Sequence, residues 1–301
     1  MNKINEILKN KYEKSIFLNE KLSKFSWFNL GGPAEVLFRP KTEEELINFL
    51  KKERNHFRSL NILGAGSNTL IRDGGIPDLT IKLSSKFSYI KLIDENSLEV
   101  GGATLDKKIS DFAYENCIKG FEFLSCIPGS LGGAIVMNSG CYNNEISNLI
   151  KSIKIIDFDG NTKIIKKDDI KFYYRGTSLQ KDCVIISAIL KGEKEKKEII
   201  FKKREEMINK KKISQPSKVK TCGSTFKNPP KEKAWNLIKK SNCDSLSVGK
   251  AKVSTKHSNF LINEGTEKSS DIEKLIMKVQ KEVFKKTGIN LELEIKIVGV
   301  R

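Results

Sequence analysis

Two glycine-rich segments in the first half of the chain constrain its fold more than any other feature. "GAGSN", Gly64 to Asn68, follows the apolar run "SLNIL". "IPGSLGGAIVMNSG", Ile127 to Gly140, places four glycines and a proline in fourteen residues. Positions without a Cβ let a backbone approach a flat or phosphorylated ligand closely, and successive N–H groups at a turn can cradle an anion. In the first segment Gly64, Ala65 and Gly66 would supply N–H groups, with Ser67 and Asn68 adding side-chain bonds. In the second, Pro128, Gly129, Ser130, Gly133 and Asn138 are the corresponding candidates. Each segment also reads as a plain turn, the second as a turn leading into a buried strand. A dinucleotide loop of the Rossmann kind needs GxGxxG opening a helix; here Thr69 holds the sixth position and "LIRDGG" follows, which disfavours that fold. Two such segments in one domain still favour a large cofactor.

The surrounding elements are mixed. Thr42-Glu43-Glu44-Glu45 is a capping box opening a helix through Leu46, Ile47, Phe49 and Leu50. "LTIKL" and "SLEVGGATL" read as strands. Leu105, Ile109, Phe112 and Ala113 mark a helix that Gly120 can terminate, and "SIKIIDFDGNTKII" reads as a hairpin around Asp159-Gly160-Asn161. From Lys191 to Lys212 the pattern predicts a charged helix with a narrow buried stripe of Ile199, Ile200, Phe201, Met207 and Ile208, stopped at Gln215-Pro216-Ser217. This places a domain boundary between residues 191 and 216. Beyond it lie a short helix with Trp235, Leu237 and Ile238, and a longer one starting at the box Ser270-Asp271-Ile272-Glu273 and ended by Gly288. In the closing strand Leu291, Leu293, Ile295 and Ile297 alternate with Glu292, Glu294 and Lys296.

With 38% hydrophobic residues, 301 positions fill the core of one large domain or two ordinary ones. The first residues hold no apolar leader, and the longest apolar run, "VIISAIL", is too short to span a bilayer, so a cytoplasmic protein without a membrane partner is expected. Six cysteines without CxxC spacing and two distant histidines encode neither a zinc site nor a disulfide framework, and no metal is expected. The formal charge of +18 comes from lysines spread along the whole chain, not interleaved with aromatics, so no nucleic-acid partner is expected. Such a field suits an anionic small substrate.

Several side chains could carry chemistry. Arg175, behind Tyr173 and Tyr174, offers a rigid donor fork for a carboxylate or a developing oxyanion, or a surface ion pair. Glu294 would be an acid if its strand face looks into a cleft, and a solvated carboxylate otherwise. His257 and Asn259 precede the buried run Phe260 to Ile262, a setting in which a lone histidine is commonly structural. Ser224, in "TCGSTFKNPP", has no GxSxG elbow and no histidine in a triad context, so it is not a nucleophile. A proton donor to a carbanion-like centre remains open. Lys227 is an anion contact or a solvated lysine.

Seven ordered motifs then resemble one family: "NLGGPAEVLFRP", "ILGAGSNTLIRDGG", "GFEFLSCIPGSLGGAIVMNSGCY", "YYRGTSL", "CGSTFKNP", "STKHSNFLINEG" and "LELEIKIVG". In this order they are similar to the UDP-N-acetylenolpyruvoylglucosamine reductase (MurB) family, in its compact second type. The resemblance implies an α+β fold with an N-terminal helical segment at 1–24 and an FAD-binding domain of the p-cresol methylhydroxylase (PCMH/VAO) type at 25–193. It further implies a smaller α+β substrate-binding domain at 194–290 and a C-terminal strand at 291–301 returning to the active site. It implies FAD held by both glycine loops and NADPH as co-substrate. The substrate would be an enolpyruvyl ether of a UDP-sugar, reduced by a monomer in peptidoglycan precursor synthesis. By position Ser224 is similar to the family's proton donor, Arg175 to its donor toward the carboxylate and Glu294 to the acid that assists it. Lys227, Asn228, His257 and Asn259 fall in substrate-binding motifs. Thr177, Lys250 and Lys296 depart from the family pattern. The alternative is an FAD-dependent oxidase of the same cofactor superfamily.

Overall fold

The structure, a computed structural model, describes residues 3–179 and 181–301. The chain forms two compact units, each built from three segments: Met1–Phe17, Leu37–Ala65 and Leu79–Lys211 in the first, and Leu18–Val36, Gly66–Asp78 and Lys212–Arg301 in the second. One crossing point divides the first glycine-rich segment, leaving Gly64 and Ala65 in one unit and Gly66, Ser67 and Asn68 in the other.

The first unit is organised by "VIISAIL". It lies in the strand Cys183–Lys191, the centre of a five-stranded antiparallel sheet. The hairpin Ile150–Asp157 and Thr162–Lys166 flanks it on one side, and Ser97–Gly101 followed by Ile90–Leu92 on the other. Six consecutive residues, Cys183 to Ala188, are buried because both sheet faces are covered. Ile109 and Ala113 of the helix Asp106–Glu115 and Met207 of the helix Lys197–Ser214 share one core with Ile153, Ile155 and Ile185. On the hairpin, Lys154 pairs with Glu43, and Gly160 lies against the Ile47 carbonyl of the helix Glu43–Glu53. The capping box holds: Thr42 Oγ1 accepts from Glu45 N–H at 3.1 Å, and the Glu45 carboxylate accepts from Lys41 N–H at 2.6 Å. Phe38 and Phe49 stack at 4.0 Å beneath it.

Three local expectations change. The helix at Asp106 ends at Glu115, not at Gly120, because Cys117 turns left-handed and Ile118–Lys119 pairs with Glu193–Lys194. The charged helix begins at Lys197, since that pairing holds the preceding residues extended, and its stripe narrows to Ile200 and Met207, with Ile199 and Phe201 exposed. In the closing segment only Lys296–Val298 is strand. The chain bends at Glu294 and Ile295, whose N–H groups both turn toward the Thr225 carbonyl.

The second unit gathers the three-stranded antiparallel sheet Ser247–Val248, Ala251–Val253 and Leu261–Asn263 under the helix Ser269–Thr287. Phe28, Leu70, Phe226, Leu275 and Val279 share its core. Lys296–Val298 pairs in parallel with Thr69–Ile71, and the residues after Ile71 fasten the long helix. Arg72 makes a two-pronged bond to Glu273, at 2.7 and 3.1 Å. Asp73 accepts from the N–H groups of Ser269 and Ser270 at 2.6 and 3.1 Å. The helix thus starts one residue before the expected box, capped by a distant carboxylate, while its preceding residue Lys268 makes no cap bond.

Partial burial works against the Asp73 carboxylate, but the two N–H bonds outweigh it and hold its pKa below the ordinary value. A folded pKa below the unfolded one means a contribution complete above roughly pH 4 and lost as pH falls through the folded value. Asp73→Ala is therefore expected to cost roughly 0.5–1 kcal/mol, the low end for a lost cap, because solvent still reaches most of the carboxylate and screens it. A lower urea midpoint at pH 7, converging with the wild type in acid, checks it.

Candidate active site

In the first unit the two glycine-rich segments meet at one hydroxyl. Among the described residues, chain neighbours aside, a Cβ built on Gly64 would have only Ser130 Oγ within 4 Å, at 3.2 Å, and one on Gly133 would find the same atom at 4.0 Å and nothing nearer. Both positions therefore border open space beside Ser130, whose Oγ caps no N–H of the helix Leu131–Val136 that follows it. The apolar stretch after the loop is this short helix and not a strand. Its first two N–H groups are spent on protein, Leu131 N–H to Thr104 O and Gly132 N–H to Gly102 O, each at 2.9 Å. Those bonds dock the loop onto the end of the central sheet. Gly102 has no room for a side chain there, because a Cβ would stand 2.2 Å from the Ile185 carbonyl. The open side at Gly64 and Gly133 and the packed side at Gly102 make a cradle that fits a flat, phosphorylated group such as FAD.

The remaining loop positions serve the loop itself. Gly129 lies against Asp106, 2.5 Å from a built Cβ to Oδ2. Both Asp106 oxygens are buried without a partner of ordinary geometry, and that burial raises its pKa well above the usual carboxylate range, which favours the neutral form. Lys82 donates to the Gly64 carbonyl, and burial together with the Arg39 charge lowers its ammonium to about 8. Pattern reasoning missed Lys82 and Asp106, because a lysine in "LTIKL" and an aspartate opening a helix are ordinary in sequence.

Asn138 is fully buried, and its Nδ2 donates to Glu145 at 2.7 Å and to the Tyr173 carbonyl at 3.2 Å. It thereby supports the hairpin Phe172–Tyr173 and Gly176–Thr177, whose turn carries Arg175. Arg175 is left-handed at φ 58°, a rare conformation for a long side chain. Its guanidinium lies over the Tyr174 ring at 4.8 Å and donates to the Gly140 carbonyl at 3.1 Å. Strand, turn and stacking together leave the fork few orientations.

In the second unit the segments of Ser224 and Glu294 meet at the backbone of Thr225. Thr225 N–H donates to the Asn259 carbonyl at 2.8 Å, and the Thr225 carbonyl accepts from Glu294 N–H at 2.9 Å. Ser224 bridges to Phe260, and Phe226 to Leu293. Asn68 closes the arrangement, its Nδ2 donating to the Glu294 carbonyl at 3.0 Å and its own carbonyl accepting from Lys296 N–H at 2.9 Å. Gly223, left-handed at φ 76°, has among the described residues, its chain neighbours aside, no atom within 4 Å of a built Cβ, so the residue before Ser224 borders open space. Gly66 differs: a Cβ there would stand 1.8 Å from the Phe25 carbonyl, so its glycine serves close packing. Ser67 lies on the turn entering Thr69–Ile71.

Asn259 acts on this loop from beneath. It is buried, with Oδ1 accepting from Phe226 N–H at 2.9 Å and Nδ2 donating to the Phe226 carbonyl at 2.8 Å. His257 sits edge-on to Phe260 at 4.8 Å, accepts from Asn259 N–H at Nδ1, and is kept below the usual histidine pKa by burial. Asn228 caps the helix Ala234–Lys240 through a 3.0 Å bond from Ala234 N–H, and Lys227 is half-buried 3.4 Å from Glu292.

Removing Asn259 strands a buried N–H and a buried carbonyl. Asn259→Ala is expected to lower the unfolding free energy by about 1–3 kcal/mol for each group left unpaired. Asn259→Asp keeps the acceptor but sets a carboxyl oxygen against the Phe226 carbonyl, so it should destabilise as well; urea titrations of the two variants check both losses.

Residues 34–166 match the FAD binding domain family, and residues 215–298 match the C-terminal domain of UDP-N-acetylenolpyruvoylglucosamine reductase. Over 300 residues the chain is 45% identical to the UDP-N-acetylenolpyruvoylglucosamine reductase of Pelagibacter ubique (strain HTCC1062), covering 98% of this chain and 99% of that one. Over 292 residues it is 41% identical to the reductase of the same name from Rickettsia akari (strain Hartford), covering 97% of each. The crystal structure of UDP-N-acetylenolpyruvylglucosamine reductase (MurB) from Thermus caldophilus matches with a TM-score of 0.83 at 30% identity, over 94% of this chain and 98% of that chain. Among the described residues no helix is long and apolar enough to cross a membrane, and no cluster of three or more metal-ligating side chains occurs. Identity sustained over nearly the whole of both chains, together with an α+β fold holding an FAD-binding domain, places this chain in the UDP-N-acetylenolpyruvoylglucosamine reductase family.

Proposed function

We propose that this chain reduces the enolpyruvyl ether of UDP-N-acetylglucosamine to UDP-N-acetylmuramate, with Ser224 as the proton donor. The observation that carries the residue assignment is the clamp on the Thr225 backbone, which holds the segment of Ser224 against the segment of Glu294. FAD held beside Ser130, Gly64 and Gly133 and reduced by NADPH would supply hydride for C3 of the enolpyruvyl group. Negative charge then develops at C2 and on the substrate carboxylate. The Arg175 fork, oriented by Tyr174 and the Gly140 carbonyl, engages that carboxylate through paired N–H donors. Ser224 Oγ–H delivers the proton to C2, and Glu294 polarises that transfer. Gly223 leaves the approach to Ser224 clear, since no side chain projects from the position before it.

Ser130 and the open faces of Gly64 and Gly133 hold the cofactor, with Lys82 and Asp106 keeping the two loops in place. Lys227, on the Ser224 loop, contacts the anionic nucleotide. The protein works as a cytoplasmic monomer without nucleic-acid or membrane partners; size-exclusion chromatography with light scattering checks its mass.

Anaerobic half-reactions test the assignment. NADPH is expected to bleach the yellow protein, and the enolpyruvyl sugar nucleotide to restore its colour. Ser224→Ala should leave bleaching intact and slow recolouring by about 10²–10⁴-fold, the worth of a positioned proton donor. Arg175→Met should slow recolouring by about 10²–10³-fold, as for loss of one preorganised oxyanion partner. Equal loss in both half-reactions would refute the roles, and rapid recolouring by oxygen without the sugar nucleotide would favour an oxidase.

A further inference from the structure

Two short hairpins of the first unit are tied to one another. In one, Gly140–Cys141 pairs with Asn144–Glu145 around the left-handed residues Tyr142 and Asn143. In the other, Phe172–Tyr173 pairs with Gly176–Thr177 around Tyr174 and Arg175. Gly140 and Glu145 face each other across the first hairpin, and a Cβ on Gly140 would stand 2.1 Å from the Asn144 carbonyl, so the pairing there is close. Two bonds join the hairpins. Arg175 Nη2 donates to the Gly140 carbonyl at 3.1 Å. Asn138 Nδ2 donates to the Glu145 carboxylate at 2.7 Å and to the Tyr173 carbonyl at 3.2 Å. Both ties lead back to the Gly140–Glu145 pair: one holds the guanidinium of Arg175, the other the strand from which Arg175 turns.

Asn138 keeps its place only while its amide is satisfied on every side. It is fully buried and left-handed at φ 42°, and its Oδ1 accepts from Ser147 N–H at 3.3 Å. A side-chain amide carries two N–H donors; here one is met by the Glu145 carboxylate and the other by the Tyr173 carbonyl. The bond to the carboxylate is the stronger kind. Without that acceptor a buried N–H is left unpaired, a cost the amide relieves by rotating away from Tyr173. Glu145 is bound to Asn138 and paired with Gly140, so its effect on the reaction passes through Arg175.

We propose that Glu145 is a positioning residue for Arg175, fixing both the carbonyl on which the guanidinium rests and the strand from which the arginine turns. The inference rests on the role given to Arg175 above. A donor fork serves the substrate carboxylate only when it is held in place, and a misplacement of about 1 Å can cost about 10²-fold in rate. Glu145 sets that placement before the substrate arrives, from a position outside the bonds that change.

The test follows both anaerobic half-reactions of the FAD-loaded full chain in single turnover. Glu145→Ala is expected to bleach normally with NADPH and to recolour roughly 10–10²-fold more slowly at saturating sugar nucleotide. Glu145→Gln, whose side-chain oxygen still accepts from Asn138, should bring the rate back close to that of the wild type. In the Arg175→Met background Glu145→Ala should slow recolouring no further, because residues that act through one group are not additive. A merely structural role would instead multiply the two losses and slow bleaching as well, and that result would overturn the proposal. Hydrogen exchange reads the clamp without the reaction: amides of residues 172–177 should exchange faster in Glu145→Ala than in the wild type or Glu145→Gln. Unchanged exchange would overturn it too. Normal recolouring by Arg175→Met would instead overturn the role of Arg175, and with it the catalytic half of this inference, whatever the exchange shows. If Glu145→Ala does not hold FAD, Glu145→Asp, which withdraws the carboxylate by one methylene, takes its place with the same signs expected.

Discussion

The backbone of Thr225 is the constraint on which the second unit depends. Buried backbone groups must have their hydrogen bonds satisfied, and those of Thr225 draw their partners from segments far apart in sequence: Asn259 for the N–H, Glu294 and Ile295 for the carbonyl. Asn259 repeats the operation on Phe226 with its side-chain amide. The bend that brings two N–H groups to one carbonyl also ends the alternation of the closing segment, so that regular strand begins only at Lys296. Backbone bonds of Thr225 and of Glu294 itself thereby fix the segments that carry Ser224 and Glu294.

In the first unit the equivalent constraint is steric. Gly101 and Gly102 end the strand that docks the Ser130 loop, and a Cβ at either would stand 2.2 Å from a carbonyl oxygen. Absence of side chains there draws the loop onto the sheet, whereas at Gly64 and Gly133 it leaves space beside Ser130. The same residue type thus does two jobs within one unit. Asn138 joins these parts to Arg175, since its amide supports the hairpin on which that arginine turns.

Much of this could be read in the chain. The capping box at Thr42, the hairpin around Gly160 and the central apolar strand follow from local chemistry, because caps, turns and apolar runs act over a few residues. The ordered motifs pointed to the family, and the comparisons bear that out along with FAD and the α+β fold. The ends of elements were less legible. Cys117 ends a helix that Gly120 seemed placed to end, and Asp73 caps one whose own box lies a residue late. Both depend on partners that no local window contains.

The sequence by itself determined the residue types and their order: which positions lack side chains, which runs must be buried, and which motifs carry the family's chemistry. Only the tertiary structure decided that Gly64 borders a cradle while Gly66 packs on Phe25, and that Asn259 supports the Phe226 backbone. It also divided the chain into units that each use three separate segments. The physical reason is common to all of these. Periodicity and capping are local, whereas the satisfaction of a buried polar group and the space beside a missing Cβ depend on whichever distant segment the fold brings there.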